Sequence, residues 1–127
     1  MRALVFLLAL FAASAPVSAQ YPSKPIRLVV GFAPGGAADT ASRAIGEPLG
    51  RLLGQTIVID NRPGNGSSLA AELVAKAPAD GYTMLIASPS SQSVNPVINK
   101  NLGYVPERDF VPSASSRMFD CSSVVER

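Results

Sequence analysis

Apolar positions along the chain alternate between two spacings. Ile26 to Phe32 holds Leu28, Val29 and Val30 in succession, which predicts a strand covered on both faces. From near Asp39 the spacing becomes helical: Ala41, Ile45, Leu49, Leu52 and Leu53 would share a face against a sheet, and Gly54 is a natural stop. Asp39 or Thr40 is suited to cap this helix, whereas Gly46 and Pro48 are awkward inside it. Pro48 is expected to bend the helix or to split it after Gly46. Thr56 to Asp60 is a second, β-branched strand, and Asn61-Arg62-Pro63-Gly64-Asn65-Gly66 is dense turn punctuation. Ser67 or Ser68 would cap a second helix carrying Leu69, Leu73 and Ala77 on one face and a Glu72–Lys76 pair at i,i+4. Pro78 to Gly81 closes that helix, Thr83 to Ala87 is a third apolar strand, and Ser88-Pro89-Ser90-Ser91-Gln92 is a hydroxyl-rich loop.

Strand, helix, strand, helix, strand at this spacing predicts an α/β fold, a parallel sheet with flanking helices and right-handed crossovers. Ligands of such sheets sit beyond the carboxyl ends of the strands. The Ala33-Pro34-Gly35-Gly36-Ala37-Ala38-Asp39 turn and the Ser88 to Gln92 loop both follow strand ends, so they fall on one edge. A Pro-Gly-Gly turn running into a helix is expected to leave backbone N–H groups unpaired at the positive end of the helix dipole, a setting for an anion such as a carboxylate. Each feature has a plainer reading as well. The glycines can be a tight turn, Asp39 a helix cap, and Ser88, Ser90 and Ser91 solvated loop residues. The Asp39 charge would repel a carboxylate, so contact there would run through water, its N–H, or an amino group on the ligand. Asn61, Arg62 and Gly64 read as structural, with a surface salt bridge explaining Arg62 as well as an anion anchor does.

Composition narrows the chemistry. Residues 1–19 read as a signal peptide: Arg2, an apolar run from Ala3 to Ala13 too short to span a bilayer, and Val17-Ser18-Ala19 as a cleavage site. The mature chain would begin at Gln20 and be exported. Without Arg2 it keeps ten basic against nine acidic residues, too small a margin for a nucleic-acid footprint. The sequence has one cysteine, Cys121, and no histidine. That excludes an internal disulfide and Ser-His-Asp or Cys-His catalysis, and it removes the commonest metal ligand. No phosphate loop or Gly-x-Ser-x-Gly elbow is present, so the alternative of a small α/β enzyme, a hydrolase or a nucleotide-dependent protein, keeps little support. No catalytic residue, metal or cofactor is expected.

Lys24-Pro25-Ile26-Arg27 followed by Phe32-Ala33-Pro34-Gly35-Gly36-Ala37-Ala38-Asp39 resembles the opening of the periplasmic solute receptors of tripartite tricarboxylate transporters. Gly54-Gln55, Asn61-Arg62-Pro63-Gly64, Asp80-Gly81-Tyr82-Thr83 and Tyr104 to Phe110 follow in that family's order. The resemblance runs from about Tyr21 to Pro112. It implies a two-lobed type II periplasmic binding protein, monomeric, that closes on a small carboxylate and delivers it to a membrane permease. Backbone amides and bridging waters would hold the acid, with Pro34 to Asp39 and Ser88 to Gln92 contributing from the first lobe. Asn65-Gly66-Ser67-Ser68 departs from the small Ala and Gly residues usual there, read as a change in helix capping.

The resemblance divides the chain into a signal peptide (1–19), a partial first lobe (20–112) and an aberrant tail (113–127). The family continues after Pro112 with a Val-Ser-Leu-Val-like strand, whereas Ser113-Ala114-Ser115-Ser116 is followed by Met118-Phe119-Asp120-Cys121 without strand periodicity. Those serines and alanine can be encoded TCA-GCC-TCG-TCG, and one G restored ahead of them gives GTC-AGC-CTC-GTC, which encodes Val-Ser-Leu-Val. A one-base frameshift near Pro112 is therefore the expectation, and with it two outcomes: a receptor impaired by truncation, or the non-functional fragment of a disrupted receptor gene. The genomic bases after the Pro112 codon test this: an intact downstream frame is expected, and its absence removes the idea.

Overall fold

The computed structural model describes residues 21–115 and 123–126. The leader expected over 1–19 and Cys121 lie outside them. Within the described chain, the successive apolar residues of the first strand turn to opposite sides of a sheet, and each side has its own helix. Strands β1 (Ile26–Val30), β2 (Ile57–Asn61) and β3 (Thr83–Ile86) are parallel, with β1 in the middle. Leu28 of β1 lies opposite Ile59 of β2 and Met84 of β3. Helix α1 (Ala37–Leu53) covers the side bearing Leu28, Val30 and Ile86. Helix α2 (Ser68–Ala75) covers the other, where Ala70, Ala71 and Val74 close over Val29 and Leu85 with Tyr104 and Phe110. Burial on both faces is why these strands carry no alternation.

Helix α1 departs from expectation in its cap and its buried face, and it is not split after Gly46. Its N-cap is Gly36, in extended conformation at φ −78° and ψ 173° with no side-chain cap, so Asp39 and Thr40 lie inside the first turn. The helix also runs unbroken through Pro48. Proline deprives the carbonyl four residues earlier of its partner, here that of Ala44, and both residues are exposed, so water can serve it. Finally, the face against the sheet is Ala38, Ser42 and Gly46, while Ile45 is 40% and Leu52 84% exposed. Close approach selects the small residues: a Cβ on Gly46 would sit 3.4 Å from Ile59 Cδ1, and one on Gly50 2.9 Å from the Gln55 carbonyl oxygen. Gly54, at φ 67°, ends the helix as expected.

Helix α2 is shorter than its periodicity suggested. It stops at Ala75, leaving Ala77 beyond it, and it buries Ala70, Ala71 and Val74 while Leu69 is half-exposed. The Glu72–Lys76 pair forms as expected.

After β3 the chain makes a π-helical turn (Ser90–Val94), then the short helices α3 (Asn95–Ile98) and α4 (Pro106–Asp109). Two further strands follow, β4 (Val111–Ser115) and β5 (Ser123–Glu126). The sheet order is β2-β1-β3-β5-β4, and both new joins are antiparallel. The three-stranded parallel sheet thus gains an antiparallel extension that the sequence pattern did not suggest. At the opposite end of the strands, the lead-in is fastened to the turn before β3. Tyr21 Oη donates to the Gly81 carbonyl at 2.7 Å, the Ser23 N–H donates to Tyr82 Oη at 2.8 Å, and Lys24 pairs with Asp80 at 3.1 Å.

Candidate functional site

The chain leaves β1 toward β2, then crosses back over β1 to reach β3, so strand order reverses beside β1. Open α/β sheets form their ligand crevices at such reversals, outside the carboxyl ends. Three loops converge there: Gly31 to Gly36 after β1, Asn61 to Ser67 after β2, and Ala87 to Ser91 after β3.

The first loop is built around a turn. Gly35, at φ 80°, supplies the left-handed third position of a type II turn with Pro34 second, and its closing bond runs from the Gly36 N–H to the Ala33 carbonyl at 3.4 Å. The Gly35 N–H donates to Asp39 Oδ2 at 2.9 Å. Both glycine amides are therefore spent within the loop, and the expectation that they point at a ligand is corrected. Asp39 reaches back from the third helical position, as the glutamate of a capping box does. The free donors are one step further on: Ala37, Ala38 and Asp39 are the first helical residues, whose N–H groups have no carbonyl four positions earlier within the helix. No hydrogen bond from them occurs among the described residues.

Asp39 is an organiser of this loop. It is 4% exposed; Oδ2 also accepts from Arg43 Nε at 3.0 Å, and Oδ1 is buried without a partner among the described residues. The Arg43 guanidinium above all, and the Gly35 N–H after it, lower its pKa from 3.8 to about 2 against the upward push of burial, with the Asn61 side chain adding to the lowering. A carboxyl depressed in the folded state contributes stability that is fully present above its unfolded pKa and lost as pH falls through its folded one. Asp39→Asn is therefore expected to melt at a lower temperature than the unsubstituted chain at pH 7, with the gap closing between pH 4 and pH 2. Thermal melts of the pair across that range check this; the other paired carboxylates titrate in both proteins, so a gap constant with pH would refute it.

The second loop holds a residue pair that sequence reasoning missed. Ser67 occupies the N-cap position of α2 but is left-handed, φ 71°, and its Oγ, buried and without a partner among the described residues, caps nothing. It lies against the Gly31 backbone, where a Cβ would fall 1.8 Å from Ser67 Oγ. The signal available was Gly31 itself, a glycine where the strand ends. Asn61 donates to the Phe32 carbonyl at 3.1 Å, which ties the second loop to the first. Arg62 pairs with Asp60, which Arg27 also binds, so its guanidinium is engaged in the surface salt bridge foreseen for it.

The third loop separates the three serines. Ser91, fully buried, donates its hydroxyl to the Ser88 carbonyl at 3.0 Å. Its single proton is thus used, so in the 3.2 Å contact between the two hydroxyls Ser88 is the donor. Neither retains a proton for a ligand. Ser90 is half-buried, and its hydroxyl and N–H make no hydrogen bond among the described residues. A separate cavity of about 630 Å³, between α1 and the outer edge of β2 and lined by Arg43, Glu47, Arg51 and Ile57, does not reach these loops.

Backbone donors without a partner among the described residues thus stand at the carboxyl edge of the sheet, a setting suited to an anion. The sequence model described as the tripartite tricarboxylate transporter family receptor matches residues 41–125, and the chain belongs to that family. A UPF0065 protein of Bordetella bronchiseptica is 42% identical over 115 residues, which are 89% of this chain and 34% of that one. A solved Rhodopseudomonas palustris protein with adipate superposes with a TM-score of 0.70 at 41% identity, covering 74% of this chain and 31% of its own. MatC from Rhodopseudomonas palustris with bound malate gives 0.70 at 37% identity over 74% of this chain and 32% of its own. The chain therefore spans about a third of the length of the relatives it matches, and its fold is part of one lobe of a periplasmic binding protein.

Proposed function

We propose that this chain is the first-lobe portion of a periplasmic receptor that takes up a small carboxylate for a tripartite tricarboxylate transporter. The observation that carries the proposal is the set of three unspent N–H groups on Ala37, Ala38 and Asp39, at the strand-order reversal and at the positive end of a seventeen-residue helix. Ser90 supplies a hydroxyl and an N–H from the loop after β3. Ala33, Pro34, Gly35 and Gly36 shape the wall, while Ser88 and Ser91 hold the third loop together and do not donate to the acid. The adipate and malate present in two relatives are dicarboxylates, which favours a ligand of that class. Export by residues 1–19, delivery to a permease and a monomeric state belong to the same proposal.

A lobe portion encloses a ligand on one side only, so the chain alone is expected to bind adipate or malate at millimolar strength. A nitrogen-15 amide titration checks it. Shifts are expected at Ala37, Ala38, Asp39 and Ser90 with either dicarboxylate and not with the uncharged adipamide. Shifts of equal size with adipamide, or none at these four amides, would overturn the assignment.

A further inference from the structure

Tyr104 precedes α4, outside the three loops, and is 3% exposed with its ring edge-on to Phe110 at 5.9 Å. Its hydroxyl donates to the Ser91 carbonyl at 2.5 Å. A phenol has one proton, so the 3.2 Å contact with Ser68 Oγ must be a donation from the serine. Ser68 Oγ in turn accepts from Asn95 Nδ2 at 2.6 Å, and Asn95 also donates to the Asn65 carbonyl at 3.0 Å. The donors therefore run in one direction, Asn95 to Ser68 to Tyr104 to the Ser91 carbonyl, a chain buried from Ser68 onward in which each bond polarises the next. Burial also keeps the Tyr104 phenol protonated by pushing its pKa up. Beyond Ser91, the locked Ser88–Ser91 pair carries the constraint through the turn on which Ser90 stands.

We propose that Tyr104 is the positioning residue of this site: its hydroxyl joins the start of α2 to the Ser88–Ser91 turn and so sets where Ser90 presents its donors. This rests on the carboxylate site proposed above. Tyr104 itself, buried beneath both loops, touches no ligand.

Tyr104→Phe removes one oxygen and keeps the ring packing, so it separates positioning from core support. In the adipate titration of the full chain, the variant is expected to bind about tenfold more weakly, the loss of one hydrogen bond of ordinary strength. The shift at Ser90 should collapse while those at Ala37 and Ala38 persist. Ser68→Ala leaves the aromatic pair intact and breaks the chain one step earlier; it is expected to show the same split with a smaller loss, and it carries the test if the phenylalanine variant does not fold. An unsubstituted chain that gives no response overturns the carboxylate site itself. Where that chain responds, unchanged affinity in the variants overturns the positioning role. So does equal loss at all four amides, which would mark Tyr104 as general core support.

Discussion

Gly31→Ala is expected to lower stability by about 3 kcal/mol or more, among the larger effects of a single methyl group. The added Cβ would lie 1.8 Å from Ser67 Oγ, 2.4 Å from Ser67 Cβ and 2.8 Å from Ser67 Cα. A clash with a long side chain could be relieved by rotation, but here the obstacle includes backbone. Ser67 cannot withdraw freely, because it is wholly buried between the turn at Gly66 and the start of α2. In a domain of this size each kcal/mol moves the melting temperature by about 4–8 °C, so circular dichroism melts resolve the effect easily. The second-site response identifies the cause. Ser67→Gly removes the two nearest atoms, relieves a left-handed serine worth about 1 kcal/mol, and deletes an unpartnered buried hydroxyl. It should restore much of the loss, whereas Ser67→Ala, which keeps the Cβ, should restore little. Equal rescue by both would mean that the hydroxyl alone was in the way.

That contact also marks where sequence reasoning stopped. The three parallel strands were legible because consecutive apolar residues such as Leu28-Val29-Val30 have few alternatives to a doubly covered strand, whereas β4 and β5 carry no such run. Gly54 was legible as a stop because αL favours glycine. The buried face of α1 was not, since hydropathy selects Ile45 and Leu52 while the geometry selects the small residues Ser42 and Gly46 that let the helix approach β2. For the site, the two loops could be placed on one edge from the element order alone. Which N–H groups remain free could not, because that depends on Asp39 folding back onto Gly35, a contact set by the turn's dihedral angles. The three serines of Ser88 to Gln92 look equivalent in sequence, and only their mutual hydrogen bonds separate Ser90 from the other two.

Removing residues 116–127 is expected to be more disruptive than the size of the deletion suggests. It deletes β5, and with it the antiparallel pairing of Met84, Leu85 and Ile86 to Glu126, Val125 and Val124. Strand β4 borders only β5, so it too would lose its partner. The sheet's two outer edges carry ordinary protection against pairing with other chains: β2 has Asp60 between Arg27 and Arg62, and β4 has Pro112, which lacks an N–H. Strand β3 has neither device, since it is built as an interior strand with Leu85 fully buried. Opened on one side, it is an apolar template for a second copy. The truncated chain should therefore elute from size exclusion as oligomers or aggregate, and its Thr83–Ile86 amides should lose hydrogen-exchange protection. A monomeric truncated chain with those amides still protected would show that β5 is dispensable. Whatever reading frame residues 113–127 come from, the slot beside β3 needs an occupant, and a chain that did not supply one would expose the strand from which the Ser88–Ser91 turn emerges.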